Sequence, residues 1–252
     1  MAADRPASRM VDIWELVARQ AVGRQARVSV ADVCAAAVAA AGVSGAALTA
    51  VTATGGIHLM YATDEISERL AGIELTLGEG PRADAVAFGG PVLTSDLAQG
   101  DAVAQWPAFA AAAREAGAEA VFAFPLQVGA IRAGVLQMYR RQPGPLSASA
   151  FGDALLFAEI ATLMLLDASA QGAGPGTGPG GQPIELGLHR AEIDQATGML
   201  TEQLGTGADQ AFARLRAYAY AQDRSLSDVA RDIVERRLRL LPDDGLTRGG
   251  AQ

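Results

Sequence analysis

Few residues in this chain have types and spacings that could do chemistry. His58 and His189 are the only histidines, and they stand in different halves of the sequence. His58 falls on an expected strand and reads as a packed or half-exposed residue there, with a catalytic or haem role as the alternative. Cys34 is the single cysteine, which excludes an intrachain disulfide and fits a reducing compartment. It reads as a small buried hydrophobe on a helix. All 20 basic residues are arginine. The absence of lysine removes P-loop chemistry, Schiff-base chemistry and a lysine contact to an aspartyl phosphate. Asp64 with Glu65 and Glu68, and Glu79 with Asp84, are paired carboxylates without a nucleophile or base beside them. They read as acids at helix N-termini, where the helix dipole favours negative charge. Gly78, Glu79 and Gly80 read first as a turn and second as a ligand-contacting loop. No His, Cys and Asp cluster has metal-ligand spacing. The spacing Gly176-Thr-Gly-Pro-Gly-Gly181 formally satisfies a dinucleotide-binding fingerprint. That fingerprint needs a strand before it and a helix directly after it. Here an expected helix precedes it and a proline interrupts it, so it reads as linker.

A second set of residues could contact a polyanion. Arg190, Asp194, Thr197 and Thr201 lie opposite an apolar stripe on one expected helix. Gln195 lies on the same helix, as does Gly198. A glycine inside a helix costs about 1 kcal/mol relative to alanine. Its presence suggests close approach of another backbone, from a neighbouring helix or from RNA. Arg214, Arg216 and Tyr218 flank the apolar face of the next helix. Arginine supplies bidentate phosphate and base-edge contacts, and tyrosine can stack on an unpaired base. A solvated surface contains arginine too, so residue types alone leave both readings open.

Three short amphipathic helices must position these groups, over about 186–204, about 208–222 and from about Ser225 onward. Ile193, Ala196, Leu200 and Leu204 share one face of the first. Ala208, Ala211, Phe212, Leu215 and Ala219 do so on the second, and Leu226, Val229, Ala230 and Ile233 on the third. Three such stripes can bury one another in a small bundle.

The earlier residues alternate differently. Helices are expected at 11–19 and 30–41, the second capped by Ser29 and stopped by Gly42. Apolar runs at 46–54 and 57–62 around Gly55-Gly56 read as a hairpin. Thr63 or Asp64 can cap a short helix to about Ala71. The glycine-punctuated turn at 77–85 leads into another helix, and 91–94 is a short strand. A helix at 107–116, a strand pair at 121–128 and 131–140, and a long apolar helix from Ser147 to about Leu166 follow. Residues 170–183 are rich in Gly and Pro and read as a linker.

The C-terminal unit resembles the ANTAR domain, an RNA-binding module of bacterial transcription antiterminators. The matching residues are Ile193-Asp-Gln-Ala-Thr-Gly-Met-Leu200, Ala211-Phe with Leu215-Arg-Ala217, and Leu226 with Asp228-Val-Ala230. Many members carry lysine where this chain has Thr197, which puts a phosphate contact from that position in doubt. The earlier element order resembles a GAF domain over about 28–168. Its sharpest matches are Leu77-Gly-Glu-Gly-Pro81 and Pro91-Val-Leu-Thr-Ser-Asp96, with Trp106-Pro107, Val121-Phe-Ala-Phe-Pro-Leu126 and Gly134-Val-Leu136 beside them. That resemblance implies an antiparallel sheet with helices on its faces and, often, a small-molecule pocket.

The expected fold class is therefore α+β, with an N-terminal GAF-like antiparallel sheet, a Gly/Pro linker and a C-terminal ANTAR-like three-helix bundle. The expected boundaries are 1–27 for a helical extension, 28–168 for the sensor, 169–183 for the linker, 184–241 for the bundle and 242–252 for a disordered tail. The resemblance implies a homodimer that binds paired stem-loops in nascent mRNA and stabilises an antiterminator. Arg190, Arg214 and Arg216 would hold backbone or loop bases. Gln195 and Thr197 would add polar contacts, Tyr218 would stack, and Gly198 would allow close approach. Gly78, Glu79 and Gly80 would contact a small-molecule ligand if there is one. No enzyme activity, metal or cofactor is expected. The alternative is a ligand-sensing dimeric scaffold whose C-terminal bundle mediates protein association.

Charge limits the nucleic-acid reading. The net charge is −8. Within 184–252, nine arginines stand against eleven acids, a difference of −2. RNA binding would therefore need arginine clustered on one face. No apolar run of about 18 residues is expected to span a membrane, and residues 1–10 lack a signal-peptide core, so a cytoplasmic protein is expected.

Overall fold

A computed structural model describes residues 5–22, 27–51, 57–170 and 185–240, with the side chains of 5–7 and 185–190 excepted. The chain divides into two compact units, residues 1–187 and 188–252. Most of the expected linker, the Gly55-Gly56 turn and the expected tail lie outside the described residues.

The first unit is built on five strands: β1 (Gly45–Val51), β2 (Ile57–Ala62), β3 (Val92–Thr94), β4 (Ala120–Val128) and β5 (Ile131–Arg140). They form one sheet in the order β2-β1-β5-β4-β3, with every neighbouring pair antiparallel. This is the sheet that the GAF resemblance implies. Both faces are covered, so β4 reads as an almost continuous apolar run with no polar alternation. Gly134 sits opposite Ala50 in the β1–β5 ladder. A Cβ there would meet the Thr49 carbonyl, so only glycine lets the two backbones pair.

One face carries Leu48, Phe122, Phe124, Leu136 and Met138 against α1 (Arg5–Val22), α2 (Val30–Ala41) and α7 (Ala148–Ala170). α1 is longer than the expected 11–19. Its Ile13 and Val17 are fully buried in this core, so the helix is packed into the first unit. Its Arg9 donates to both carboxylate oxygens of Asp153 on α7, at 2.8 and 2.5 Å. Ser29 caps α2, and Asp32 Oδ2 accepts from both the backbone N–H and the hydroxyl of Ser29, each at 2.8 Å. Cys34 is buried on this helix, where desolvation pushes its thiol up to about 12 and leaves it inert.

α7 corrects one expectation. It is long and apolar enough to span a membrane by length and composition, but half of its apolar window is buried inside the unit. Its inner face packs on the sheet through Ala154, Phe157, Ile160 and Ala161. Leu155 and Leu163 point outward and are exposed.

The second face is covered by α3 (Glu65–Leu77), α4 (Pro81–Phe88), α5 (Gly100–Gln105) and α6 (Pro107–Glu115). Leu70, Leu97, Trp106 and Phe109 pack there with Val121 and Tyr139, and Ala85 meets Ala123 and Val135. α3 runs six residues past the expected end at Ala71, and α5 was not expected.

Candidate nucleic-acid interface

The second unit consists of α8 (Glu185–Leu204), α9 (Ala208–Ala221) and α10 (Leu226–Val234). Ile193, Ala196 and Leu200 of α8, Ala211, Leu215 and Ala219 of α9, and Leu226, Val229, Ala230 and Ile233 of α10 are all buried. These are the expected stripes with three corrections. Ala208 is exposed because it opens α9, a turn before the buried face begins. Phe212 and Leu204 are only half-buried, each at the margin of its stripe. Leu240, beyond α10, is also buried. Ser225 caps α10: its Oγ accepts from the Asp228 N–H at 3.1 Å and donates to the Asp228 carboxylate at 2.7 Å.

The arginines divide into two groups. Arg224, Arg231 and Arg237, on α10 and around it, are engaged with acids. Arg231 Nε lies 3.4 Å from Glu192 Oε1, which ties α10 to α8. Asp232 accepts from Arg224 at 2.6 Å and from Arg237 at 2.8 Å, and Arg237 also pairs with Glu235. These two donors, Arg224 first, hold the Asp232 carboxyl below its usual range. Arg237 is thus a member of an ion-pair network.

The arginines of α9 are distinguished by exposure. Arg214 is exposed. Arg216 is half-buried, with its guanidinium 5.9 Å from the centre of the Phe212 ring. Partial desolvation lowers its pKa, from a value far above neutrality. Tyr218 is half-buried, on the Arg214 side of the helix by four-residue spacing.

On α8, Gln195 and Gly198 are exposed and Thr197 is half-buried. The Thr197 hydroxyl donates to the Ile193 carbonyl at 2.7 Å, and that of Thr201 to the Thr197 carbonyl at 2.9 Å. Both donors are thus turned onto their own helix. A Cβ added at Gly198 would meet nothing within 4 Å. No described part of the bundle therefore requires a glycine there. The side chains of His189 and Arg190 lie outside the described residues.

The loop assigned to a ligand serves the fold. Gly78 ends α3, its N–H donating to the Glu74 carbonyl. Glu79 Oε1 accepts from the N–H groups of Ala108 and Phe109, at 2.8 and 2.9 Å, and so caps α6. Gly80 has φ 139° and lies against the Glu74 side chain, a place where any Cβ would collide. Glu74 itself forms a buried pair with Arg82, Nε to Oε2 at 3.1 Å. Arg82 also donates from its backbone to Glu74 Oε1 and from Nη2 to the Ala71 carbonyl, both at 3.0 Å. Burial raises the Glu74 pKa against the opposing pull of Arg82, and burial lowers that of Arg82. Of the other carboxylates, Asp64 caps α3 through the Ser67 N–H at 2.7 Å and accepts from the Tyr139 hydroxyl at 2.9 Å. Asp84 accepts from Gln105 and from the Trp106 indole. Among the described residues no His, Cys, Asp and Glu group could hold a metal ion. His58 lies half-buried on the edge strand β2.

The family model of the ANTAR domain matches residues 188–234. That segment is an ANTAR domain. Its match begins in α8 and ends with α10, so it covers the described three-helix core. No curated protein matches the chain. Solved structures similar to the chain include GAF domains. One is from a phosphoenolpyruvate-protein phosphotransferase of Coxiella burnetii: 15% identity, 66% of this chain and 98% of that one covered, TM-score 0.48. Another is from the corresponding Acinetobacter phosphotransferase: 14% identity, 65% and 97% covered, TM-score 0.47. A third is the GAF-B domain of DevS from Mycobacterium smegmatis: 20% identity, 55% and 91% covered, TM-score 0.39.

Reading the sequence of the ANTAR domain missed Tyr220, whose side chain is 63% exposed. It also missed the stacking of Arg216 on Phe212. Four-residue spacing from Phe212 through Arg216 to Tyr220 was the available signal.

Proposed function

We propose that this protein is an RNA-binding transcription antitermination regulator. In this reading the GAF-like unit senses a signal and the ANTAR domain binds stem-loops in nascent mRNA. The ANTAR match at 188–234 is the observation that carries it. The surface chemistry supports it: Arg214 and Gln195 are exposed, and Gly198 leaves α8 open to close approach of a backbone. The chain acts without enzymatic chemistry, in the cytoplasm and as a homodimer, so that two ANTAR domains meet two stem-loops. Fluorescence anisotropy with a pool of stem-loop RNAs, against duplex RNA of equal length, tests the proposal. Preferential binding to the stem-loops is expected, and equal or absent binding overturns it.

A small-molecule ligand for residues 28–168 belongs to the same reading. Such a ligand would raise the melting temperature of the unit by mass action. The competing reading is a dimeric scaffold, favoured by the outward leucines of α7, which suit a protein contact. It predicts self-association without RNA binding.

A further inference from the structure

We propose that α9 of the ANTAR domain holds one unpaired RNA base on the ring of Tyr220, with Arg216 clamping the adjoining phosphate. This rests on the RNA-binding reading above and adds to it a contact on the flank of α9 away from Arg214.

The two flanks of α9 are different. Ala211, Leu215 and Ala219 define its buried face. Residues four apart advance by little more than one turn, so Phe212, Arg216 and Tyr220 form a ladder along one flank, and Arg214 and Tyr218 lie on the other. The ladder is graded in exposure: Phe212 and Arg216 are half-buried, and Tyr220 is 63% exposed. The Arg216 guanidinium lies over the Phe212 ring, 5.9 Å from its centre. One turn further on, about 6 Å along the axis, Tyr220 offers a bare aromatic face. Tyr218 offers less, being half-buried.

The bundle does not need an exposed ring at position 220. Ala219 already fills the core at that turn, and the cap at Gln222 is made by backbone alone. A half-desolvated arginine one turn from an exposed tyrosine suits a nucleotide whose base has left its stack. The charges around the ladder set its size. Asp209 lies one turn before Phe212 and Asp223 just beyond Tyr220, and both are exposed. The acid at the Phe212 end repels a phosphate backbone continuing past it, whereas Arg224 follows Asp223 at the other, so the flank suits a splayed nucleotide in a loop more than a duplex.

The test uses the full chain and a stem-loop RNA with a randomised loop, read by fluorescence anisotropy, with helicity checked by circular dichroism. Tyr220→Ala is expected to weaken binding about five- to a hundredfold, the range for losing one base stack. Tyr220→Phe keeps the ring and is expected to stay within about twofold of the unmodified chain. Tyr218→Ala is expected to weaken binding less than Tyr220→Ala. Unchanged affinity in Tyr220→Ala, with stem-loop binding intact in the parent, overturns this proposal and leaves the RNA-binding reading standing. Equal losses in Tyr220→Phe and Tyr220→Ala would assign the contact to the hydroxyl and overturn stacking. If the unmodified chain binds no stem-loop at all, both readings fall.

Discussion

Arg214 and Gly198 are the residues on which the RNA interface can be tried most simply. Arg214 is exposed on the flank of α9 that also carries Tyr218. Replacing it by alanine is expected to weaken stem-loop binding by about 1–3 kcal/mol, the range for a good charged or stacking contact. The bundle should keep its helicity, since a solvent-facing arginine adds little to the core. Unchanged affinity would remove Arg214 from the interface. Gly198 separates two explanations that its residue type leaves open. No described neighbour lies within 4 Å of a Cβ there, so packing inside the bundle does not account for the glycine. Gly198→Ala should therefore stabilise α8 by about 1 kcal/mol through helix propensity. If RNA or a partner backbone approaches that point, the same change should weaken its binding. Thermal melting and anisotropy on one sample read both effects. A destabilised bundle would mean that an internal contact had been overlooked.

At the scale of the element, what was legible depended on whether the signal was local. Caps were: Ser29, Asp64 and Ser225 carry their helices' first turns by short-range hydrogen bonds, and each is visible as a residue type in place. The stripes of α8, α9 and α10 were legible because burial repeats with the helical period. What stayed hidden needed partners far away in sequence. Glu79 read first as part of a turn and second as part of a ligand loop, and its carboxylate caps a helix that starts 28 residues later, a partner visible only in three dimensions. α5 escaped because six residues beginning with glycine show no period. Glu79→Ala should cost about 0.5–2 kcal/mol, the loss of a helix cap, in urea unfolding of the full chain. An unchanged first transition would contradict the capping role. The Glu74–Arg82 pair makes a sharper contrast. Arg82→Met alone leaves a carboxylate buried without its counterion and should cost about 3–5 kcal/mol. Glu74→Leu with Arg82→Met should recover most of that, because two desolvation penalties disappear together. Equal losses in the single and double variants would refute this account. In α10, Asp232 predicts a pH dependence. Its carboxyl is held below the usual range by Arg224 and then Arg237, so the folded form binds its proton less readily than the unfolded chain. That contribution is present above the ordinary carboxylate range and is lost as pH falls through the depressed value. Asp232→Asn should flatten the acid limb of the melting curve of the ANTAR domain. An unchanged limb would exclude the contribution.

Across the whole molecule, two units with different chemistry are joined through residues rich in glycine and proline. The sheet's antiparallel order and the helices on both faces matched the expected class, because apolar runs separated by turn residues carry that information. Surface chemistry was less legible. Composition gave a net charge of −8 and could not say that Arg224, Arg231 and Arg237 pair with acids of their own unit. The outward face of α7 was equally hidden, since a helix apolar on both sides reads only as buried. If the proposed homodimer forms through this face, Leu163→Glu should shift it to monomer in light scattering, because Leu163 is 51% exposed there. A dimer unaffected by this change would place the interface elsewhere. Salt should weaken RNA binding with a shallow slope, because a C-terminal segment of net charge −2 neutralises few phosphates. The most direct measurement of the central claim is sequencing of the RNAs retained by the full chain from a randomised stem-loop pool, at low salt. The account predicts enrichment of stem-loops with defined loop bases, and retention that falls in the Arg214→Ala chain. Recovery of the input pool without enrichment would contradict it.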